Sequence, residues 1–271
     1  MKIGVVGLGL IGGSMALALR EQHDVVGFDV SRDTRDAAKA RGIRIAERAE
    51  ALLPADAVIV ATPLAAVLPT LAALAPVADG AVLLDTASVR GPIEEFARGR
   101  QGGPSIVGLH PMAGRSASGF TAADDAVLAK RPFLVVPTVR ADARAVGIAG
   151  DIARAAGGIP TVVSASEHDR IVATLSALPL ALAAALSIAG ADAVPQLGDL
   201  AGPGYRDATR LAQTPLDLAE GMLMANSGNV VAAIARLRVV LDELERAVAE
   251  RDTSAVRRLL TRASESRGSL G

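Results

Sequence analysis

Apolar residues fall in short unbroken runs through the first 164 positions and take a helical spacing after them. The runs are Lys2–Val6, Asp24–Asp29, Ala57–Ala61, Ala81–Asp85, Ser105–Leu109, Pro132–Pro137 and Thr161–Ser164. They are rich in Val, Ile and Leu and do not alternate with polar residues, as strands covered on both faces should read. Between them Ile11–Arg20, Arg32–Arg41, Leu64–Leu74, Pro92–Arg98 and Asp142–Ala156 read as helices, with Ser31 placed to cap the second and Gly42 just past its end. The alternation predicts an α/β Rossmann-type fold, a doubly wound parallel sheet. Past Ser164 the strand signal stops. Helical stretches follow, punctuated by Gly190, Gly198, Gly202-Pro203-Gly204 and Gly228. Val230–Glu250 sets Ile234, Leu237, Leu241, Leu244 and Val248 on one face. The predicted division is therefore 1–164 for the sheet domain and 165–271 for an all-helical domain.

Two stretches test whether any helix crosses a membrane. Ala57–Ala78 contains Pro63, Pro69 and Pro76 and cannot be one helix. Ile171–Ala191 nearly has the length, but it is alanine-rich, contains Pro179 and lacks an aromatic belt. It reads as a buried interface helix. Together with Val230–Glu250 it carries more apolar surface than a small helical domain can bury alone, which predicts a homodimer through the second domain.

Composition removes several classes of function. The 271 residues carry 28 basic and 29 acidic side chains, so a strongly basic nucleic-acid binder is excluded. Aromatics are 2% of the chain, too few for base-stacking platforms. The absence of cysteine excludes disulfide scaffolds, thiolate metal sites and a cysteine nucleophile, fits a cytoplasmic setting, and no metal site is expected. No targeting segment is visible. Only three lysines (Lys2, Lys39, Lys130) and three histidines (His23, His110, His168) are available for chemistry.

The first chemical motif is Gly7-Leu8-Gly9-Leu10-Ile11-Gly12. The pattern alone is weak; its context is specific, because it follows a strand, opens a helix, and precedes an acid, Asp29, at the end of the next strand. Gly7 suits a tight turn, Gly9 a close approach to a pyrophosphate, and Gly12 close packing of helix on strand. The helix N-terminus at Leu10 and Ile11 offers free N–H groups to the phosphates, and Asp29 accepts from ribose hydroxyls. No lysine follows, so a triphosphate-binding loop is excluded. A carboxylate at Asp29 repels a 2′-phosphate and favours NAD. Arg32 can soften that preference and admit NADP, or be a solvated residue over the adenine face. Thr62-Pro63 ends the third strand, where it can lie against the nicotinamide ribose.

The second motif, Gly108-Leu109-His110-Pro111-Met112-Ala113-Gly114, ends the fifth predicted strand. Ligands of open α/β sheets bind outside the carboxyl ends of strands, so His110 is aimed at the crevice. A histidine there can take a proton from a substrate hydroxyl, or simply brace the turn. Ser88 ends the fourth strand and can orient the His110 ring, contact substrate, or cap the helix before Pro92. Arg206 and Arg210 stand four apart on one helical face and suit a dicarboxylate, or form a surface pair with Asp207 satisfying Arg210. His168, beside Asp169, reads first as a structural element at a helix start and second as substrate-proximal.

Residues 7–14, the strand-end Ser88, His110–Gly114, Glu167-His168-Asp169 and Tyr205–Arg210 occur in one order. In this the chain resembles the prephenate/arogenate dehydrogenase family of tyrosine biosynthesis, over nearly its whole length. The resemblance implies an NAD(P)-binding domain followed by a helical dimerisation domain. It implies hydride transfer from the cyclohexadienol ring to nicotinamide with loss of the ring carboxylate as CO2. His110 would accept the hydroxyl proton with Ser88 in support, and Arg210 would bind a substrate carboxylate. Two departures bear on the substrate. Where many relatives carry Ser-His-Leu-Pro-His, this chain has Ser176-Ala177-Leu178-Pro179-Leu180, so both histidines are missing. Where relatives have Thr-Glu-Lys-Ser-Gly, it has Arg115-Ser116-Ala117-Ser118-Gly119, which makes Arg115 a candidate anion contact. Prephenate is the first expectation and arogenate the alternative. A related two-domain reductase or a non-catalytic NAD-binding protein are the other classes. The absence of lysine after Lys130 counts against lysine-dependent reductases, and the intact His110 and Arg210 count against a non-catalytic protein.

Overall fold

The computed structural model describes residues 1–114, 117–194 and 196–269. Its sheet comprises β1 (Lys2–Val6), β2 (Asp24–Phe28), β3 (Arg44–Ile45), β4 (Ala57–Val60), β5 (Val82–Asp85), β6 (Ile106–Pro111), β7 (Pro132–Pro137) and β8 (Ile159–Val162). Their order is β3-β2-β1-β4-β5-β6-β7-β8, and all neighbours are parallel except β6 and β7. The two-residue β3 is the strand that the sequence pattern does not reveal. It is too short to carry a period, and pairing through Val26↔Arg44 and Gly27↔Ile45 defines it.

Five helices flank the sheet: α1 (Leu10–Leu19), α2 (Arg32–Ala40), α3 (Leu64–Leu74), α4 (Gly91–Arg98) and α5 (Ala143–Ala155). Side chains of a strand point alternately to its two faces. Ile3, Val5, Ala57, Ile59, Val82, Leu84, Val107 and Leu109 accordingly join Met15, Leu19 and Ile152 of α1 and α5 in one core. Val6, Val58, Val60, Leu83 and Ile106 join Val67, Leu71, Leu74 and Ile93 of α3 and α4 in the other. Every residue of β4 and β5 is buried, which is why these runs show no polar alternation. Burying one Val, Leu or Ile contributes about 1.5–3 kcal/mol.

From Ala165 every described element is helical: α6 (Ala165–Val172), a π turn (Ala173–Ala177), α7 (Leu178–Ala193), α8 (Leu197–Leu200), α9 (Pro203–Thr209), α10 (Leu216–Met224), α11 (Ser227–Ala249) and α12 (Thr253–Gly268). Ser164 caps α6 by accepting from the Glu167 N–H. The π turn has a local cause. Pro179 has no N–H for an i→i−4 bond, and the Leu178 N–H reaches back five residues to the Ala173 carbonyl. The run Ala165–Ala193 is long and apolar enough to cross a membrane, with mean hydropathy 2.2. At its start, however, His168 and Asp169 are buried and bonded to the sheet domain. Ile171 and Ala165 pack on Leu134, Val136 and Val163, closing the second face of the sheet beyond α4.

Residues 1–226 form one compact unit and 227–271 another. Within the second, α11 and α12 pack together, Asp252 caps α12 through the Ser254 and Ala255 N–H groups, and Arg262 meets Glu243 at 3.6 Å. Val239, Val240, Leu241, Leu244 and Val248 stay exposed on α11.

Candidate active site

The carboxyl ends of the parallel strands set out one row of side chains. β2 leads to Asp29, β1 to the glycine turn, β4 to Thr62, β5 to Ser88, and β6 carries His110. At the turn Gly7 adopts φ +87°, and a Cβ there would stand 2.6 Å from the Ala61 carbonyl oxygen. A Cβ on Gly12 would fall 1.9 Å from the Gly7 carbonyl oxygen, so α1 sits against β1 only because Gly12 has none. Around Gly9 there is open space. Leu10 and Ile11 form the first turn of α1, whose N-cap Gly9 supplies no side chain. Asp29 braces this turn: Oδ2 accepts from the Leu8 N–H at 2.8 Å and Oδ1 from the Ser31 N–H at 2.8 Å. A carboxylate has about four lone-pair sites, so acceptor capacity remains for ribose hydroxyls. Arg32 points away, exposed and 3.7 Å from Asp36 on its own helix. Arg35, which the motif reading passes over, donates to the Asp29 carbonyl at 2.6 Å and the Val30 carbonyl at 3.1 Å. Thr62 Oγ1 is buried without a hydrogen-bond partner among the described residues, and Pro63 serves as N-cap of α3. The open space at Gly9, the braced acid and the orphaned Thr62 hydroxyl fit a dinucleotide laid across these strand ends.

His110 lies inside β6, one residue from its end, rather than in the loop after it. β5 pairs with β6 only as far as Asp85↔Gly108, and Leu109–Pro111 project beyond, held by antiparallel β7 through His110↔Leu134. Strand alternation turns Leu109 into the first core and His110 to the opposite face, where α4 and α6 lie. The His110 Nδ1 is 2.9 Å from His168 Nε2, and His168 Nδ1 is 2.9 Å from Asp169 Oδ1. Asp169 also accepts from the Arg90 N–H at 2.7 Å and the Gly91 N–H at 3.0 Å, which caps α4 from another element. The Asn226 amide donates to the Asp169 carbonyl at 2.7 Å.

Beneath the histidines, Arg90 forms a buried ion pair with Asp85. Gly108 makes room for it, since a Cβ there would stand 2.6 Å from the Arg90 Cζ. Arg90 Nη2 and Asp85 Oδ2 are buried and have no hydrogen-bond partner among the described residues. Burial, then the neighbouring His168, then the Arg90 charge lower the His110 pKa from 6.5 to about 3. His110 is therefore a neutral imidazole at neutral pH.

The remaining sequence candidates divide. Ser88 is half-buried and makes no hydrogen bond among the described residues; the ring partner of His110 is His168, and the cap of α4 is Asp169. Arg206 is exposed and spends its guanidinium on the Ala201 and Gly198 carbonyls at 3.0 and 3.2 Å. Arg210 is exposed just past the end of α9, and among the described residues Asp207 does not pair with it. Arg115 lies outside the described residues. Ala177 and Leu180, at the positions of the missing histidines, are buried apolar residues flanking the π turn's end. Residue reasoning underrated His168 because its partner is 58 residues away, and it gave no role to Arg90 or Asp85. The one available signal for that pair was an acid and a base five apart at the end of an apolar strand.

A doubly wound sheet with a dinucleotide turn and a neutral, desolvated histidine near the end of β6 fits a dinucleotide-dependent dehydrogenase. Residues 15–160 match the family model of the prephenate dehydrogenase nucleotide-binding domain, and residues 164–262 that of the prephenate dehydrogenase dimerization domain. The chain belongs to the prephenate dehydrogenase family. It is 29% identical over 267 residues to the prephenate dehydrogenase of Lactococcus lactis subsp. cremoris, covering 94% of this chain and 73% of the relative. Among solved structures it is similar to Synechocystis arogenate dehydrogenase, with TM-score 0.85, 28% identity and complete coverage of both chains. The fold is shared with prephenate dehydrogenase from Aquifex aeolicus, solved with hydroxyphenyl propionate and NAD+, at TM-score 0.89 and 23% identity over 99% and 98% of the two chains.

Proposed function

We propose that the protein oxidises prephenate to 4-hydroxyphenylpyruvate, passing hydride to NAD with loss of CO2, as a step of tyrosine biosynthesis. The observation that carries this is His110. It is a neutral imidazole at the carboxyl edge of the sheet, in line with the glycine turn, Thr62 and Ser88. NAD supplies a hydride acceptor when bound. Gly7, Gly9, Gly12 and the Leu10–Ile11 turn would hold its phosphates, Asp29 the adenosine ribose, and Thr62 with Pro63 the nicotinamide side. His110 takes the proton from the ring hydroxyl as hydride leaves the same carbon, and returns it to the ring oxygen once CO2 has left and the electron pair of the broken C–C bond has completed the aromatic ring. Aromatisation drives the reaction, so positioning and a proton acceptor are what the protein must add. Arg210 grips a carboxylate, and Ser88 contacts substrate beside His110. Arg206 acts through the backbone, holding the turn between α8 and α9 that places Arg210.

The division of labour follows the chain: 1–164 binds the dinucleotide and 165–271 forms the substrate and dimerisation domain. The exposed apolar residues of α7 and α11 support a homodimer through that domain, with Ala165–Ala193 as an interface helix rather than a membrane span. The setting is cytoplasmic.

Loss of the acid after Gly114, where this chain has Arg115, favours a substrate side chain without an ammonium group. This supports prephenate over arogenate. Turnover with each substrate and each of NAD and NADP, read from the absorbance of reduced nicotinamide, tests it. A higher kcat/KM for arogenate overturns the substrate assignment, and a higher value with NADP overturns the role given to Asp29.

A further inference from the structure

We propose that Asp169 and His168 are positioning residues that lock His110 in one tautomer, with the proton on Nδ1 and Nε2 bare. The proposal rests on the reading of His110 as proton acceptor. The argument is one of donors and acceptors. Asp169 is surrounded by groups that donate to it: the Arg90 N–H at 2.7 Å, the Gly91 N–H at 3.0 Å and the His168 Nδ1 at 2.9 Å. The two backbone N–H groups cannot accept, so the carboxylate is fixed as an acceptor, and the ring proton of His168 stays on Nδ1 to meet it. A neutral imidazole has one N–H, so His168 Nε2 is left with its lone pair. The contact of 2.9 Å between His168 Nε2 and His110 Nδ1 needs one proton, and only His110 can supply it. Neutral His110 has then used its single proton, and Nε2 is the base that faces substrate.

The alternatives conflict with the reading of His110 as acceptor or with the charges around it. A doubly protonated His168 would donate to His110 Nδ1, move the His110 proton to Nε2 and abolish the acceptor. Two protonated rings would set two cations 2.9 Å apart, beside the Arg90 guanidinium. Both His168 and Asp169 are buried, so water does not compete for these bonds. When His110 Nε2 takes the substrate hydroxyl proton, its Nδ1–H bond to His168 persists. The charge gained then lies one ring away from the Asp169 carboxylate.

Two measurements test this. Side-chain nitrogen NMR of the full chain labelled at histidine reads each tautomer directly, and three histidines make assignment simple. His110 should show a protonated Nδ1 and a bare Nε2; a protonated Nε2 overturns the proposal whether or not the protein turns over prephenate. The second measurement is His168→Phe, which keeps a ring of similar size and removes the acceptor. His110 should move its proton to Nε2, and kcat should fall by about 10²-fold or more with little change in NAD affinity. His168→Gln, whose amide oxygen can accept from Nδ1–H, should recover part of the loss. A His168→Phe protein with kcat within about threefold of wild type shows that the pair only caps α4 and also overturns the proposal.

Discussion

The two halves of the site are built in opposite ways. The dinucleotide half is local: Leu8 and Asp29 meet across 21 residues, and one strand–helix–strand unit contains the whole turn. The half around His110 draws on three separated segments. His110 reaches His168 across 58 residues, and Arg90 reaches Asp169 across 79. The first is stabilised by backbone geometry that only glycine permits. The second is held by buried polar side chains, each of which needs its partner. A local unit can be moved between folds unchanged, whereas the second exists only once the sheet, α4 and α6 have packed.

This contrast predicts where damage will be greatest. His110→Asn should lower kcat by about 10²–10⁴-fold while leaving NAD affinity nearly unchanged, because the glycine turn and Asp29 lie three and four strands from β6. Near-normal kcat would mean that His110 only supports the strand. Arg90→Met leaves Asp85 buried and unpaired and should cost about 3–5 kcal/mol in stability, since one partner of a buried pair is removed. Denaturant unfolding measures this, and a loss under about 1 kcal/mol would show that Asp85 finds other partners. Arg210→Ala should raise KM for substrate about 10–150-fold, the equivalent of one charge-assisted bond to a carboxylate. Arg206→Ala should raise it less, because that guanidinium already serves carbonyls. Equal effects would erase the distinction drawn between the two arginines.

The pH dependence of stability is the most diagnostic of burial. The His110 pKa is about 3 when folded and 6.5 when unfolded. Between those values the unfolded chain binds the proton and the folded chain does not. The contribution of His110 to stability is therefore complete above pH 6.5 and is lost as pH falls from 6.5 towards 3. Chemical denaturation across that window should show a steeper loss for wild type than for His110→Asn. Parallel curves would mean that the ring is better solvated than its surroundings imply.

The legibility of each half in the sequence follows the same division. The strands β1, β4, β5 and β7 were evident because burial on both faces leaves unbroken apolar runs. So were the glycine turn and Asp29, whose meaning lies in spacing. The reversed β7 and the two-residue β3 were not, since direction and pairing are set by neighbours and leave no period. His168 illustrates the limit well. A histidine next to an aspartate at a helix start looks like capping, and Asp169 does cap, though the helix it caps is α4. Only packing revealed that the histidine between cap and crevice touches His110.

Placing His110 in a strand has a consequence for how such a site can diverge. His110 is pinned by the ladder to β7 through its backbone and by His168 through its ring. Substitutions in the loop after Pro111 or at Ala177 and Leu180 act on segments other than the strand that fixes His110. On the proposed function, the space offered to a ring acid and the position of the proton acceptor are therefore set by different elements.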